Sequence, residues 1–469
     1  MAVHSVRGQG TMRPGARTDH DAVRRRMAAL SVGLATMMAV LDGTMINIAL
    51  PEIARAIAVT PASAIYVVSA YQFAVALILL PLGRAGDVIG RRPVYFACLA
   101  LFTLASIGCA TANSLSALAA WRFVQGCGGA GMMGITNAML RFIYPPRLLA
   151  KGMSLNTFVV TGALAIGPAI ASAIVVVAGW RWLFLVNIPI CVVALAAGWK
   201  SLPEGKRVPL PLDPVGMVLA MAAFGLAIAA VNSVAHGARQ TLVALLAVSG
   251  TAAAIVMVRH QSRVPQPLFP IDLLRSRIFG ISIVTMFAAA AAQTIAYVVL
   301  PFLLHGDLGQ SQIATGALFL PWPIAQAGGA FLAGKAAHRI GPGLLSGCGL
   351  LVFATGLLCL VSLAGIASQS AIVWRMALCG LGWGIFQPPN SRAIITSVAA
   401  VRAGSASVMG AAGRVTGQAC GAALVACLFR FLPETGRSIA LCAAAAIALG
   451  AAFASLGRGM NSTADLPAG

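Results

Sequence analysis

Asp42 is the one acidic residue that falls inside an apolar stretch of this sequence. It sits in Leu41-Asp42-Gly43-Thr44-Met45-Ile46-Asn47, towards the end of a run that begins near Met27. A charge at the centre of a bilayer helix costs about 2.5–3.5 kcal/mol on insertion scales, so such residues normally serve a partner, a cavity or an ion path. Burial disfavours the ionised form of a carboxyl, and a neighbouring guanidinium favours it. A carboxyl under both influences can bind and release a proton as its surroundings change. Arg122, Arg375 and Arg414 are the basic residues inside apolar stretches.

Depth decides which of them Asp42 can meet. At 1.5 Å per residue, Asp42 lies ~22 Å along the first stretch, and Arg122 lies ~13 Å along the fourth, which runs the opposite way. In a hydrocarbon core of about 30 Å the two levels come within a few ångströms. The bland alternative is a static pair holding two helices together. Arg414 lies ~15 Å from the inner end of its stretch by the same rise, near the midplane. Gly410, Gly413, Gly417 and Gly421 flank it, and such small residues let helices approach closely and present a side chain to a cavity. Arg375 stands near an outer end, where it is expected to snorkel. One acid and up to three arginines leave no second carboxylate to hold a dication. Neutral, amphiphilic or anionic substrates are expected, or monovalent cations at most.

The positioning elements are apolar helices. The chain has 469 residues, of which 59% are hydrophobic and 9% charged. A soluble domain carries about 25% charged residues, so this is a polytopic membrane protein. Its net charge of +21 is not a nucleic-acid signature, because the basic residues sit in short loops and no nucleic-acid-binding motif accompanies them. The ten cysteines lie in apolar stretches without a CxxC pair, and the six histidines lie in the tail or in loops. Neither set suggests a metal site or a disulfide framework.

Fourteen apolar spans are expected, at 27–50, 63–83, 93–112, 115–138, 152–178, 182–200, 214–233, 240–259, 277–304, 312–333, 343–363, 371–391, 404–431 and 436–456. With the N-terminus inside, the inner loops hold 24 Lys and Arg and the outer loops 5. The positive-inside rule then puts both termini in the cytoplasm. The sequence also repeats. Trp121-Arg122 followed by Gly129-Ala130-Gly131 returns as Trp374-Arg375 followed by Gly382-Trp383-Gly384, and Gly83 to Gly90 returns as Gly334 to Gly341. Leu50-Pro51 returns as Leu300-Pro301, and near the same offset Asp42 becomes Gln293. Internal repeats of this kind are the mark of many transporter folds. The expected organisation is a disordered cytoplasmic tail (1–26), a six-helix half (27–200), a connector with two inserted spans (201–276), a second six-helix half (277–456) and a short tail (457–469).

The loop Gly83-Arg84-Ala85-Gly86-Asp87-Val88-Ile89-Gly90-Arg91-Arg92-Pro93 resembles the signature between spans two and three of the major facilitator superfamily. Leu41-Asp42-Gly43-Thr44 to Pro51, and Trp180-Arg181-Trp182 to Pro189, resemble its 14-span drug:proton antiporters. Arg122-Phe123-Val124-Gln125-Gly126 is similar to the span-four motif linked there to proton coupling. Gly162, Gly167 and Pro168 are similar to the span-five antiporter motif, although Ala171-Ser172 stands where a Gly pair is usual.

The resemblance implies an all-α integral membrane fold of two pseudo-symmetric six-helix halves with two inserted central helices. It implies a proton-coupled exporter of amphiphilic or drug-like compounds, located in the inner membrane and driven by the proton gradient without a cofactor. Asp42 and Arg122 would carry the proton. Asn47, Gln125, Phe158, Gln293, Tyr297, Trp383, Phe386 and Arg414 would line the substrate cavity. Gly83, Asp87, Gly90, Arg91 and Arg92 would form a conformational latch. The partners are a small-molecule substrate, H⁺ and the lipid bilayer, with no nucleic acid. A periplasmic adaptor with an outer-membrane channel is left open beside a monomer. The alternatives are a proton-coupled importer or uniporter of a sugar or organic acid on the same fold and, from another class, a membrane enzyme or sensor. The latter pair lacks clustered His, Asp and Glu or a long soluble segment. Gly126 to Gly131 matches GxGxxG, but no strand precedes it, and the loop ending in Gly334-Lys335 has Ala336 where a phosphate loop needs Ser or Thr.

Overall fold

Residues 14–204, 213–235, 239–264, 267, 270–337, 339–362, 368–399 and 402–462 are described by a computed structural model. Helices stand at all fourteen expected positions. In the first half these are α1 (Pro14–Ala56), the one-turn α2 (Pro61–Ala64), α3 (Tyr66–Ile89), α4 (Arg91–Thr111), α5 (Leu115–Ile143), α6 (Pro146–Ala178), and α7 (Trp182–Leu185) continuing as α8 (Asn187–Trp199). Next come α9 (Pro214–Ala235) and α10 (Gln240–Gln261). The second half holds α11 (Arg277–Phe302), α12 (Gln312–Leu318) with α13 (Pro321–Ala336), α14 (Pro342–Val361), α15 (Gln369–Thr396), α16 (Ala403–Phe431) and α17 (Gly436–Ser462). Eleven helical stretches among the described residues are by themselves long and apolar enough to cross a membrane. The arginine-bearing α5 and α15, and α9, are not among the eleven.

Several helices run about a turn and a half past their expected ends, among them α3, α5 and α6, and two extend into the expected tails. α1 begins at Pro14, so 14–26 is helical where a disordered tail was expected. Proline's fixed φ and missing N–H suit a first helical position. α17 likewise continues past 456 to Ser462. Residues 1–13 and 463–469 lie outside the described residues.

The halves repeat in three dimensions. α5 packs on α3 and α4, α1 on α6 and α8, and α4 on α8. Correspondingly, α15 packs on α13 and α14, α11 on α16 and α17, and α14 on α17. Each central helix reaches its neighbours through glycines. A Cβ on Gly126 would meet the Tyr71 carbonyl of α3 at 2.6 Å, and one on Gly128 would meet Cys98 O and Phe102 N of α4 at 2.8 Å. In the second half a Cβ on Gly384 would collide with Gln326 O of α13, and one on Gly382 with Phe353 N of α14. The GxGxxG run is therefore a packing seam between membrane helices, which is what small residues provide where no hydrophobic drive holds helices together. The inserted helix α9 bridges α3 of one half and α16 of the other, and α10 packs on α9. Gly90, at φ +117°, joins α3 to α4 with no intervening loop, a backbone conformation that side chains disfavour. All ten cysteines are free thiols.

The helices α1 and α11 meet along the interface of the halves. At the end away from the chain termini the contacts that join the halves include three close ones. Arg55 Nη2 lies 2.7 Å from His305 Nε2, Gln312 donates to the Ile48 carbonyl at 3.2 Å, and Gly316 sits against Pro168 O and Ser172.

Two substitutions test the seam. Gly380→Ala, whose Cβ would collide with the Trp322 carbonyl, and Gly382→Ala should each lower stability by about 1–3 kcal/mol. Gly328→Ala, on α13 with open space around it, should leave stability level or raise it by up to about 1 kcal/mol. Thermal unfolding in detergent checks all three.

Candidate functional site

The first half buries one polar network at its centre. Asp42 from α1 and Arg122 from α5 are each only 1% exposed. Arg122 Nη1 donates to Asp42 Oδ2 at 2.5 Å. Gln125, one turn along α5, donates to Asp42 Oδ1 at 3.0 Å, and Asn187 at the start of α8 donates to the same oxygen at 3.2 Å. Arg122 also donates from Nη1 to Gln125 Oε1 at 2.6 Å and from Nε to the Val67 carbonyl of α3 at 3.1 Å. Gln125 completes the set by donating to Ser106 Oγ of α4 at 2.9 Å. Five helices thus contribute to one network, in which α5 and α8 reach the carboxylate itself.

Withdrawing an isolated ion from water costs several kcal/mol even after relaxation, and attraction offsets this only when the remaining donors and acceptors are matched. Here the carboxylate accepts from three groups. At an effective dielectric of 20 two charges 4 Å apart attract by ~4 kcal/mol. The guanidinium also lies over the Tyr71 ring, 4.4 Å from its centroid, where the ring's negative face favours a cation. Protonating Asp42 would remove the negative partner and leave Arg122, Gln125 and Asn187 to find other acceptors. The geometry therefore ties the charge of one carboxyl to the packing of α1, α5 and α8.

A cavity of roughly 140 Å³ lies beside this network, between the halves. Its wall includes Thr44, Asn47 and Tyr71 from the first half and Gln293, Tyr297 and Arg414 from the second. Tyr71 belongs to both places: its ring lies under Arg122 and also lines the cavity. Asn47 Oδ1 and Tyr71 Oη are buried without a hydrogen-bond partner.

Of the residues expected at the cavity, Asn47, Gln293, Tyr297 and Arg414 line it. Gln125 is instead enclosed in the ionic network. Phe158 faces outward on α6 and is 75% exposed. Trp383 and Phe386 are buried inside the second half, in a chain of edge-on rings running Tyr297, Trp322, Phe353, Trp383, Phe386. Gly167 lets α6 approach α1, where a Cβ would collide with Thr44, two residues from Asp42. Pro168 presents its carbonyl to Gly316 of α12. Gly162 has open space around it.

Among the residues expected to form a latch, Gly83 and Asp87 occupy the last two turns of α3 and the side chain of Asp87 lies outside the described residues. Arg92 donates to Glu204 at 2.8 Å and to the Trp199 carbonyl at 2.5 Å, and Arg91 lies over Phe142. These contacts hold the first half together and do not reach the second. Arg375 does not snorkel. It is 9% exposed and donates to the carbonyls of Cys359, in the last turn of α14, and of Ala371, one turn back on its own helix, both at 2.8 Å; the first is among the carbonyls that a helix end leaves open.

Asn187, Ser106 and Tyr71 complete the ionic site without having been singled out for it. The available signal was a polar residue at the head of an apolar span, in Asn187-Ile188-Pro189. Arg458, counted as a loop residue, is 5% exposed and bonded to Ser282, Asn390 and Ser455.

Repeated helical halves around a central cavity, in a chain that crosses the membrane many times, define a membrane transport protein. The sequence pattern of the Major Facilitator Superfamily matches residues 32–426. The uncharacterized transporter YebQ of Escherichia coli (strain K12) is 42% identical over 92% of this chain and 95% of its own. The multidrug efflux pump LfrA of Mycolicibacterium smegmatis is 27% identical over 96% of this chain and 90% of its own. Among solved structures, the peptide transporter POT, in a mutant form, superposes with a TM-score of 0.72 at 16% identity, covering 92% of this chain and 94% of its own. A bacterial homolog of the human lysosomal transporter Spinster, inward-facing and unoccupied, superposes at 0.68 with 16% identity, covering 95% and 99%. The chain belongs to the Major Facilitator Superfamily: it is a secondary transporter and not an enzyme.

Breaking the pair from one side should be worse than removing it. Arg122→Leu alone should destabilise by about 3–5 kcal/mol, because it strands a buried carboxylate. The double variant Asp42→Asn with Arg122→Leu should recover part of that loss. Thermal unfolding of the two proteins in the same detergent checks the order.

Proposed function

We propose that this protein is a proton-coupled exporter of small amphiphilic compounds, working by alternating access in the inner membrane with both termini in the cytoplasm. The observation that carries the reading is the buried Asp42–Arg122 pair one ring away from a central cavity. The similarity to LfrA, a multidrug efflux pump by name, supports export. The excess of basic residues in loops on the side of the termini supports the orientation.

α1 is the lever in this reading. It carries Asp42, then Thr44 and Asn47 at the cavity, then Ile48 and Arg55, which touch the second half at the far end. A proton arriving at Asp42 removes one charge and frees three donors. α1, α5 and α8 then repack, and the Arg55–His305 and Ile48–Gln312 contacts give way. Substrate in the cavity acts on the same helix through Tyr71 and Asn47, so proton and substrate favour opposite states. Coupling of this kind needs each ligand to bind the two states with different affinity. Energy comes from the proton gradient, with no cofactor.

Substrate-induced proton release from purified protein, screened over a mixed chemical panel, tests this reading. At least one compound should release protons from the wild type, and Asp42→Asn, compared on the fraction that gel filtration shows to be folded, should release none. Full release from Asp42→Asn would refute the role of Asp42.

A further inference from the structure

The cavity wall contains one charge. Arg414 is half-buried there, facing the cavity. Among the described residues it has no hydrogen bond, ion pair or ring contact. No Asp or Glu lines the cavity. Asp42, the acid of the adjoining network, is already held by Arg122, Gln125 and Asn187. α16 is fixed close to α11 by Gly417 against the Phe287 carbonyl and Gly421 against the Ala291 carbonyl. The helix that bears Arg414 is thus held in place, with the guanidinium left unpaired in a low-dielectric space. An uncompensated cation there repels another cation and attracts an anion with energies that water would largely screen.

Two neutral groups narrow the description. Asn47 donates its amide to the Gly43 carbonyl, which leaves Oδ1 as an open acceptor, and Tyr71 Oη is also unpartnered. The rest of the wall is largely apolar, with Val40, Val75, Leu164 and Val415. A cavity of roughly 140 Å³ has room for about one aromatic ring, since cavities of ~150 Å³ take benzene.

We propose that Arg414 makes this a site for amphiphilic monoanions: an apolar body of about one ring bearing a carboxylate or similar oxyanion, which the guanidinium binds. A hydroxyl or amide N–H on the cargo would meet Asn47. This rests on the exporter reading for its location but not for its test, because binding needs neither a gradient nor a direction.

Binding is measured by calorimetry on the full chain in nanodiscs near neutral pH, with phenylpropanoate, its methyl ester and phenylpropylammonium as probes. Wild type should bind the carboxylate about ten-fold or more tighter than the ester, the factor expected of a charge-assisted bond, with the ammonium weakest. In Arg414→Gln the ratio of carboxylate to ester affinity should fall to near one, and Arg414→Lys should keep part of it. A ratio near one in wild type, a ratio that survives Arg414→Gln, or tightest binding of the ammonium would overturn the proposal. The wild-type ratio decides even if a variant fails to fold. A missing carboxylate preference with proton release still dependent on Asp42 overturns this inference alone. A carboxylate preference without any proton release overturns the exporter reading alone.

Discussion

A carboxylate and a guanidinium shut away from water hold their charges only while every donor and acceptor around them is matched. That constraint organises the first half of this transporter. Asp42 accepts from three groups on two helices, and Arg122 is anchored in turn by Gln125 and a backbone carbonyl. Meeting the demand requires α5 to lie very close to α3 and α4, which Gly126 and Gly128 allow. It also places Tyr71 under the guanidinium, with Gly129 leaving room for its hydroxyl. A change of charge on Asp42 cannot be absorbed locally, because each of its partners is built into a different helix contact.

The fold is symmetric where the chemistry is not. The two halves share a pairing scheme and a glycine seam. Yet the counterpart of Asp42 is Gln293, and the counterpart of Arg122 is Arg375, which binds backbone carbonyls. The second half supplies instead Arg414. One half therefore carries the acid and the other the free cation of the cavity, and the two are joined through the cavity wall. The inserted α9 and α10 lie to one side of this arrangement, with α9 laid across α3 and α16.

Depth in the membrane was legible in the sequence, and helix face was not. Rise per residue is fixed by the hydrogen-bonded helix, so counting residues was enough to bring Asp42 level with Arg122. The repeat was legible too, because glycines recur wherever helices must touch. Which way a side chain points depends on how a helix is rotated, and rotation is set by packing against neighbours that one sequence does not specify. Phe158 points out of the bundle, and Trp383 and Phe386 point into the packing of the second half. Asn187 joined the site from a short helix whose break at Val186 carries no strong sequence signal. Arg375, expected to snorkel, and Arg458, counted with the loops, instead found backbone and hydroxyl partners inside the protein.

In the proposed exporter one buried carboxyl changes protonation state as substrate binds. Infrared difference spectroscopy on reconstituted protein observes that directly, through the carbonyl stretch of a protonated carboxyl. Substrate addition should produce a single carboxyl difference band that shifts in heavy water and is absent from Asp42→Asn. Spectra with no carboxyl band, or with a band that persists unchanged in Asp42→Asn, would contradict the account.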